Sequence, residues 1–439
     1  MLEAKNRLGI VFFPAYDWAI SPTHPEREER LLYTQDQLRE EGLFDIDGIT
    51  EYKPEVASHE DVERTHFCLP DVASIATKSH LISAGGAIKA ARLVMEKEEE
   101  KAFALVRPPG HHAMKFVHGN RGFCNMNIEA IMLEWIRETY GQKRVAIIDT
   151  DCHHGDGTQD IYWHDPNTLF ISLHQDGRTI YPGTGFPKDL GGPGALGKTI
   201  NIPLPPGTSD EGFLHVVDHT ILPILEHFKP DLIINSAGQD NHYTDPITNM
   251  NFSAQGYALL NQKLNPDLAV LEGGYAIQGA LPYVNLGICL AMAGVDYSGV
   301  REPNFNAEAL RQPQKVTDYI KRLSAETREL YFNPPRDKMK GEVSEGFFVR
   351  HKDIFYDTDG ISESQVESVM MCDNCPGVLK IESWSTVNPL SVGIEIPIDA
   401  CERCHGKGLQ LFEEAQVKGN YRYMQLINRR DRQYQQYGF

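Results

Sequence analysis

The segment Asp149-Thr-Asp-Cys-His-His-Gly-Asp-Gly157 sets Asp149, Asp151 and His153 at alternate positions, with Asp156 three residues further on. The four residues before it, 145–148, are all apolar and too few for a helix of that composition, so they read as a buried strand. In an extended chain, side chains two apart share a face, which points these three groups the same way. Two carboxylates and an imidazole at the end of a buried strand are costly to desolvate, and a divalent metal is the usual compensation. The plainer alternative is a strand end with solvated acids and a helix cap at Asp156.

The elements that would position these groups form a regular series. Strand-length apolar runs fall at 9–13, 103–106, 145–151, 168–174, 198–202, 232–236 and 268–272. Helical patterns between them cover 72–97, 126–139, 211–228, 253–264 and 277–293. Such alternation predicts a parallel sheet with helices on both faces, whose ligands sit at the carboxyl ends of the strands. Arg107-Pro-Pro-Gly-His-His112 follows the second of these strands and the acid/His cluster follows the third. Ala-Gly-Gln-Asp240 follows the sixth, and Gly-Gly-Tyr275 the seventh. Every polar cluster therefore falls on one rim of one sheet.

Asp151, His153 and Asp240 suit a catalytic metal, since three protein ligands leave one position open. Asp240 has the alternative of capping the next segment. His111 and His112, elsewhere an ordinary surface pair, become general base and acid for a metal-bound water when set beside such a site. Asp149 and Asp156 are the carboxylates left to fix their tautomers. Tyr275, alternatively a core tyrosine after a tight turn, can donate to an oxyanion. Together these parts describe metal-assisted hydrolysis of an amide or ester carbonyl.

Composition sets wide bounds. With Lys+Arg 42 against Asp+Glu 61 the net charge is −19, which excludes general binding to nucleic-acid backbone and favours cationic partners. No secretory signal or membrane span is visible. The spacing of the eight cysteines fits a reducing, cytoplasmic setting better than a disulfide framework.

Val106-Arg-Pro-Pro-Gly-His-His-Ala113, Arg121-Gly-Phe-Cys-Asn125, the 149–157 segment, Ser172-Leu-His174, Tyr181-Pro-Gly-Thr-Gly185, Ser236-Ala-Gly-Gln-Asp240 and Glu272-Gly-Gly-Tyr275 together resemble the zinc-dependent histone deacetylase family. That family includes bacterial acetoin-utilisation and acetylpolyamine amidohydrolase-like members. The resemblance spans about residues 8–295 and implies a three-layer αβα arginase/deacetylase fold. It implies catalytic zinc on Asp151, His153 and Asp240, a His112–Asp156 proton shuttle, a His111–Asp149 electrostatic partner, and Tyr275 polarising the carbonyl. Phe123 and Tyr181 match the aromatic walls of an acyl-lysine channel, with Gly122 beside them. Carbonyls of Asp149, Asp151, His153 and Leu173, with the Ser172 hydroxyl, match the family's inner potassium site. His24-Pro-Glu-Arg27 resembles an element whose arginine lies behind the site.

Three departures stand out. The loop between His66 and Ser83 is short, leaving only Asp71 as a candidate to hold the substrate backbone. Lys115-Phe-Val-His-Gly-Asn-Arg121 adds basic and aromatic residues near the rim. Ile247 stands where the polyamine-specific branch has a glutamate.

Beyond residue 300 the motifs stop. Residues 307–330 read as an amphipathic helix, and Asn333-Pro-Pro-Arg-Asp337 as a boundary. Cys372-Asp-Asn-Cys375 and Cys401-Glu-Arg-Cys404 flank β-rich runs at 378–387 and 391–398. This pattern predicts a small zinc-ribbon-like module with a four-thiolate structural zinc. Haem attachment at Cys401–His405 and a redox Cys-x-x-Cys are the alternatives. The tail, 420–439, reads as a docking helix. The expected organisation is a catalytic domain at 1–332, a linker at 333–345 and the ribbon-like extension at 346–439, serving folding, self-association or recruitment of a protein partner. The expected activity is zinc-dependent hydrolysis of acylated amines, foremost Nε-acetyl-lysine in protein. A small-molecule amidohydrolase acting on acetylpolyamines and a non-catalytic scaffold are the alternatives.

Overall fold

The computed structural model describes residues 2–336, 339 and 341–438. In chain order the strands are β1 (Glu3–Phe13), β2 (Asp47–Tyr52), β3 (Phe67–Cys68), β4 (Lys101–Val106), β5 (Phe116–Val117), β6 (Val145–Asp149), β7 (Thr168–Gln175), β8 (Thr199–Leu204), β9 (Leu232–Ala237), β10 (Leu268–Leu271), β11 (Glu342–Ser344), β12 (Phe347–Tyr356), β13 (Ile361–Met370), β14 (Leu379–Ser385), β15 (Ser391–Ile396), β16 (Tyr423–Asn428) and β17 (Gln433–Gly438). Eight of them form a parallel sheet in the order β2-β1-β4-β10-β9-β6-β7-β8. β4, β6, β7 and β10 are buried at every position and β9 at all but Ile233, which explains their mainly apolar composition. Helices cover the two faces and divide the core into two large apolar clusters. This is the arginase/deacetylase architecture that the motifs imply.

The four strands that feed the polar clusters, β4, β10, β9 and β6, are consecutive neighbours at the middle of the sheet. Their carboxyl ends therefore converge without any long excursion of the chain.

Several element ends differ from the sequence reading, each for a local reason. β6 stops at Asp149 instead of continuing to 151, because the Asp149 carboxylate accepts from Asp151 N at 3.0 Å and turns the chain. The helix expected from 307 begins at Gln314, after Pro313. Pro223 interrupts the 211–228 pattern, which runs as Asp210–Val216, a wider turn and Leu222–Phe228. The helix Glu29–Glu40 and edge strand β2 carry weak periodicity and were not expected.

The C-terminal module is a seven-stranded sheet, β11 to β17. β11 already lies inside the expected linker, whose residues Asp337, Lys338 and Lys340 fall outside the described ones. β15 and β16 pair in parallel through a crossover helix, Glu402–Lys418, and β17 returns antiparallel. The tail is thus a hairpin and not the expected docking helix. Its first strand, Tyr-Met-Gln-Leu-Ile-Asn, buries five of six residues inside the sheet, a pattern with no polar helix face.

The module is tied firmly to the parallel-sheet domain. Lys115 pairs with Glu395, and Arg429 with Glu134. His164 Nε2 lies 2.6 Å from Glu367, and the Lys352 ammonium 2.5 Å from Asp160. Phe67 and Phe116 share an apolar cluster with Phe348, Val369 and Ile381. Lys115, Phe116 and His118, expected at the rim, are buried in this interface instead. Among the described residues, no helix is long and apolar enough to cross a membrane.

Candidate active site

Beyond β6 the chain coils through two successive carboxylate turns. Asp149 Oδ1 accepts from Asp151 N, and Asp151 Oδ1 from His153 N at 2.8 Å. These turns, rather than simple extension, swing Asp151 and His153 over the end of β9, where Asp240 stands. Asp240 Oδ1 accepts from Cys152 N at 2.7 Å, and His153 Nδ1 lies 2.8 Å from Asp240 Oδ2 and 3.2 Å from Asp151 Oδ1. One donor atom from each of the three residues lies within 4.8 Å of the other two. Both carboxylates are fully buried.

The electrostatics suit a cation. Burial disfavours charge on His153, yet Asp240 and Asp151 overcome it and hold the imidazole up to about 10. Burial and the neighbouring Asp151 raise the Asp240 carboxyl, while His111 and His153 lower that of Asp151 against its burial. A proton on His153 is what balances the two acids here, and a dication fits the same donors with more charge. Gly273 seals the arrangement: its N–H donates to Asp151 Oδ2 at 2.7 Å, and a Cβ there would fall 2.6 Å from both Asp151 and Asp240 Oδ2.

Two imidazole–carboxylate pairs stand beside these residues. His111 Nδ1 lies 3.1 Å from Asp149 Oδ2, and His112 Nδ1 lies 2.9 Å from Asp156 Oδ1. Their environments push them apart. Burial would lower His111, but Asp151 and Asp149 hold it well above its ordinary value. Burial, then the charge of His111, depresses His112 to about 3, so its ring stays neutral. Asp156 is ionised despite burial because Arg121 Nη2 lies 2.6 Å from its second oxygen. Glu272 fixes the histidine loop by accepting from Gly110 N and His111 N at 2.7 and 3.0 Å.

Tyr275 is buried, its N–H held by Asp245 at 2.7 Å, and its hydroxyl has no hydrogen-bond partner among the described residues. Its ring packs edge-on to Phe123 at 5.7 Å, and Phe123 in turn meets His24 at 4.3 Å. Tyr181 stands on the other side, 5.2 Å from the His112 ring and 6.5 Å from that of His153. Gly122 has φ +53°, and a Cβ there would meet His112 Cδ2 at 2.4 Å and Tyr181 at 2.9 Å. Gly122→Ala is therefore expected to displace the His112 ring and lower kcat/KM by about a hundredfold, the effect of a shift near one ångström. Steady-state kinetics checks this, and a circular dichroism spectrum confirms that the variant is folded.

The arginine behind the site is not Arg27, which is part-exposed and pairs with Glu29 at 3.3 Å. It is Arg30, fully buried, donating to the Gly274 carbonyl at 2.7 Å and lying 5.1 Å from the Tyr275 ring centre. Asp71 caps the short helix Val72–Ile75 by accepting from Ser74 N at 2.8 Å. The Ser172 hydroxyl meets His174 Nδ1 at 2.9 Å, on the strand beside Asp149. Arg121 and Glu272 are further residues of the site to which sequence reasoning gave no role. A glutamate directly after the apolar run 268–271 is a signal that was available for Glu272, whereas Arg121 lies in a turn with none.

At the far end of the module, Cys372, Cys375, Cys401 and Cys404 bring their sulfurs within 4.8 Å of one another. Cys372 Sγ and Cys401 Sγ lie 3.8 Å apart. Four sulfurs at roughly 2.3 Å from a tetrahedral zinc would be separated by about 3.8 Å. The Asn374 N–H holds the Cys372 thiol down to about 6, toward the thiolate a metal needs. The β-rich sheet and the clustered thiols fit a zinc-ribbon-like module.

Comparison with known proteins agrees with this geometry. A family profile described as the histone deacetylase domain matches residues 71–285. The chain is similar to a probable deacetylase of Archaeoglobus fulgidus, 47% identical over 332 residues, covering 69% of this chain and 91% of that protein. It is 34% identical over 241 residues to a histone deacetylase-like amidohydrolase of Pseudomonas aeruginosa, covering 53% and 62% respectively. Among solved structures, the HDA15 HD domain superposes with a TM-score of 0.64 at 25% identity, covering 74% of this chain and 95% of that one. The chain belongs to the histone deacetylase family and carries a deacetylase fold with a zinc-ribbon-like C-terminal module.

Proposed function

We propose that this protein is a zinc-dependent deacylase whose principal substrates are Nε-acetyl-lysine side chains. The observation that carries this reading is the meeting, at the foot of an aromatic slot, of three candidate ligands, two oppositely tuned histidines and an unpartnered tyrosine hydroxyl. Zinc held by Asp151, His153 and Asp240 would supply Lewis-acid chemistry at the acyl carbonyl. The chain's own groups do the rest. His112 donates its Nδ1–H to Asp156 and keeps Nε2 free to take a proton from the attacking water. His111, held charged between Asp149 and Asp151, adds positive potential where negative charge develops and is placed to relay a proton to the leaving amine. Tyr275 donates its hydroxyl to the oxyanion. Phe123, Tyr181 and the Gly122 backbone line an apolar stem of lysine length.

The donor set at Cys372, Cys375, Cys401 and Cys404 supports a second, structural zinc, and the resemblance around Ser172 supports a bound potassium ion. Residues 1–332 form the proposed catalytic domain. The substrate preference follows from the slot and from Ile247, which offers no carboxylate to a polyamine. The name of the Pseudomonas relative keeps small acyl amides as the second reading.

Turnover of an acetyl-lysine peptide and of N-acetylputrescine by the same metal-analysed preparation tests the proposal. The expected result is about two zinc per chain, with the peptide preferred. Preference for the diamine favours the second reading. A zinc-loaded protein inert toward both defeats the catalytic reading.

A further inference from the structure

The C-terminal module reaches the active site through one turn. β12 and β13 are joined by Asp357-Thr-Asp-Gly360, which lies against the segment that carries Gly122 and Phe123. Asp359 Oδ2 accepts from Asn120 N at 2.6 Å, and the Phe355 carbonyl from Arg121 Nε at 3.1 Å. Asp357 goes furthest. Its Oδ1 accepts from Gly122 N and from the Tyr181 hydroxyl, both at 2.9 Å.

Gly122 and Tyr181 both touch His112, so Asp357 stands one tyrosine ring away from the catalytic floor, at the mouth of the slot. The residue is exposed, and its Oδ2 has no hydrogen-bond partner among the described residues. The nearby cations are engaged elsewhere: Arg121 by Asp156, and Arg350 and Lys352 by Asp160 and Glu367. A cavity of about 640 Å³ opens beside the turn, lined by Asp156, Tyr181, Asp353 and Asp357 among others. One oxygen thus orients the carboxylate on the channel wall, while the other presents free lone pairs and an uncompensated charge to whatever enters.

We propose that the appended module is part of the substrate site, and that Asp357 is a specificity-determining residue accepting from an N–H donor that the acylated amine carries beyond its alkyl stem. The inference rests on the deacylase reading of the slot. Two sources offer this chemistry, the backbone amides of a peptide and the protonated far end of a diamine. An acyl amine with no such donor gains nothing from the carboxylate. Charge-assisted hydrogen bonds are the strong ones, and their geometry here is fixed in advance by Gly122 and Tyr181.

The test is Asp357→Asn in the full-length, zinc-loaded chain. Asparagine keeps an oxygen for Gly122 N and the Tyr181 hydroxyl but puts an amide donor where the free oxygen was, so a purely adhesive role survives the change. KM is expected to rise about tenfold or more, with kcat and Tm held, for an acetyl-lysine peptide, for N-acetylputrescine or for both. The arm that responds identifies the donor. Wild-type kinetics for Asp357→Asn on both substrates, with only Asp357→Ala impaired, would reduce the contact to domain adhesion and overturn the proposal. If the zinc-loaded wild type hydrolyses neither substrate, the deacylase reading fails and the inference falls with it.

Discussion

Asp240→Asn is expected to lower the metal content by one equivalent per chain and kcat/KM by about 10³-fold or more. A Lewis-acidic metal contributes several kcal/mol to a developing oxyanion, and each 1.4 kcal/mol is a factor of ten in rate. The substitution isolates that effect because asparagine has nearly the same shape and can keep the bond from Cys152 N. It removes one of three donors. Asp151 stays held by Gly273 N and the His153 backbone by the turn at Asp151. The His153 ring loses the carboxylate beside its Nδ1 but keeps Asp151 Oδ1 at 3.2 Å. Burial and Asp151 already raise the Asp240 carboxyl, so its charge is unfavourable in the metal-free fold. Losing that charge removes the repulsion from Asp151 together with the attraction to His153, so the two largely offset and the metal-free variant should melt close to metal-free wild type. A large fall in activity without a fall in stability separates a ligand from a core residue. Elemental analysis beside calorimetry checks both halves. A variant that keeps its full metal content and turnover would remove Asp240 from the ligand set.

The rim of the sheet was legible because each cluster follows directly on a short, mainly apolar strand, and a parallel sheet brings all such ends to one side. The order that makes β4, β10, β9 and β6 neighbours was not legible, since apolar runs carry no label of their partners. Nor were contacts across long stretches of chain. Arg121 meets Phe355 across 234 residues and Gly122 meets Asp357 across 235, and nothing local to either partner announces the other. The choice between Arg27 and Arg30 was a matter of helical phase. The helix starts at Glu29 and buries Arg30 with Leu31, Thr34 and Leu38, leaving Arg27 before it at the surface. The module misled for a related reason. Two Cys-x-x-Cys knuckles point to four candidate ligands, but β11 lies within the expected linker, the alternating polar residues of β12 and β13 carried no assigned element, and the terminal hairpin reads from sequence as a helix. Several of those polar residues, Glu363, Gln365 and Glu367, are buried on the face turned to the parallel-sheet domain, where Glu363 meets His118 and Glu367 meets His164, so their polarity records an interface and not solvent.

Tyr275→Phe is expected to lower kcat by about 10²- to 10³-fold, the usual result of removing one oxyanion donor, with zinc content and Tm unchanged. Burial, reinforced by the carboxylates of Asp240 and Asp151 and opposed by Arg30, holds the phenol well above its ordinary value. At neutral pH the hydroxyl therefore keeps its proton and acts as a donor, never as a base. Because the hydroxyl has no partner among the described residues, its loss breaks no hydrogen bond of the resting fold, and the phenyl ring retains Phe123 and Arg30 as neighbours. The whole effect should then appear in the chemical step. KM changes little, since a ground-state amide carbonyl carries less charge than the oxyanion that the hydroxyl is placed to meet. This pattern differs from that of Asp357→Asn, where KM moves and kcat does not, and from that of Asp240→Asn, where metal is lost as well. Zinc analysis, with single-turnover rates and KM measured on an acetyl-lysine peptide and on N-acetylputrescine, distinguishes all three. A Tyr275→Phe enzyme within threefold of wild type would show that the acyl oxygen is stabilised without this residue.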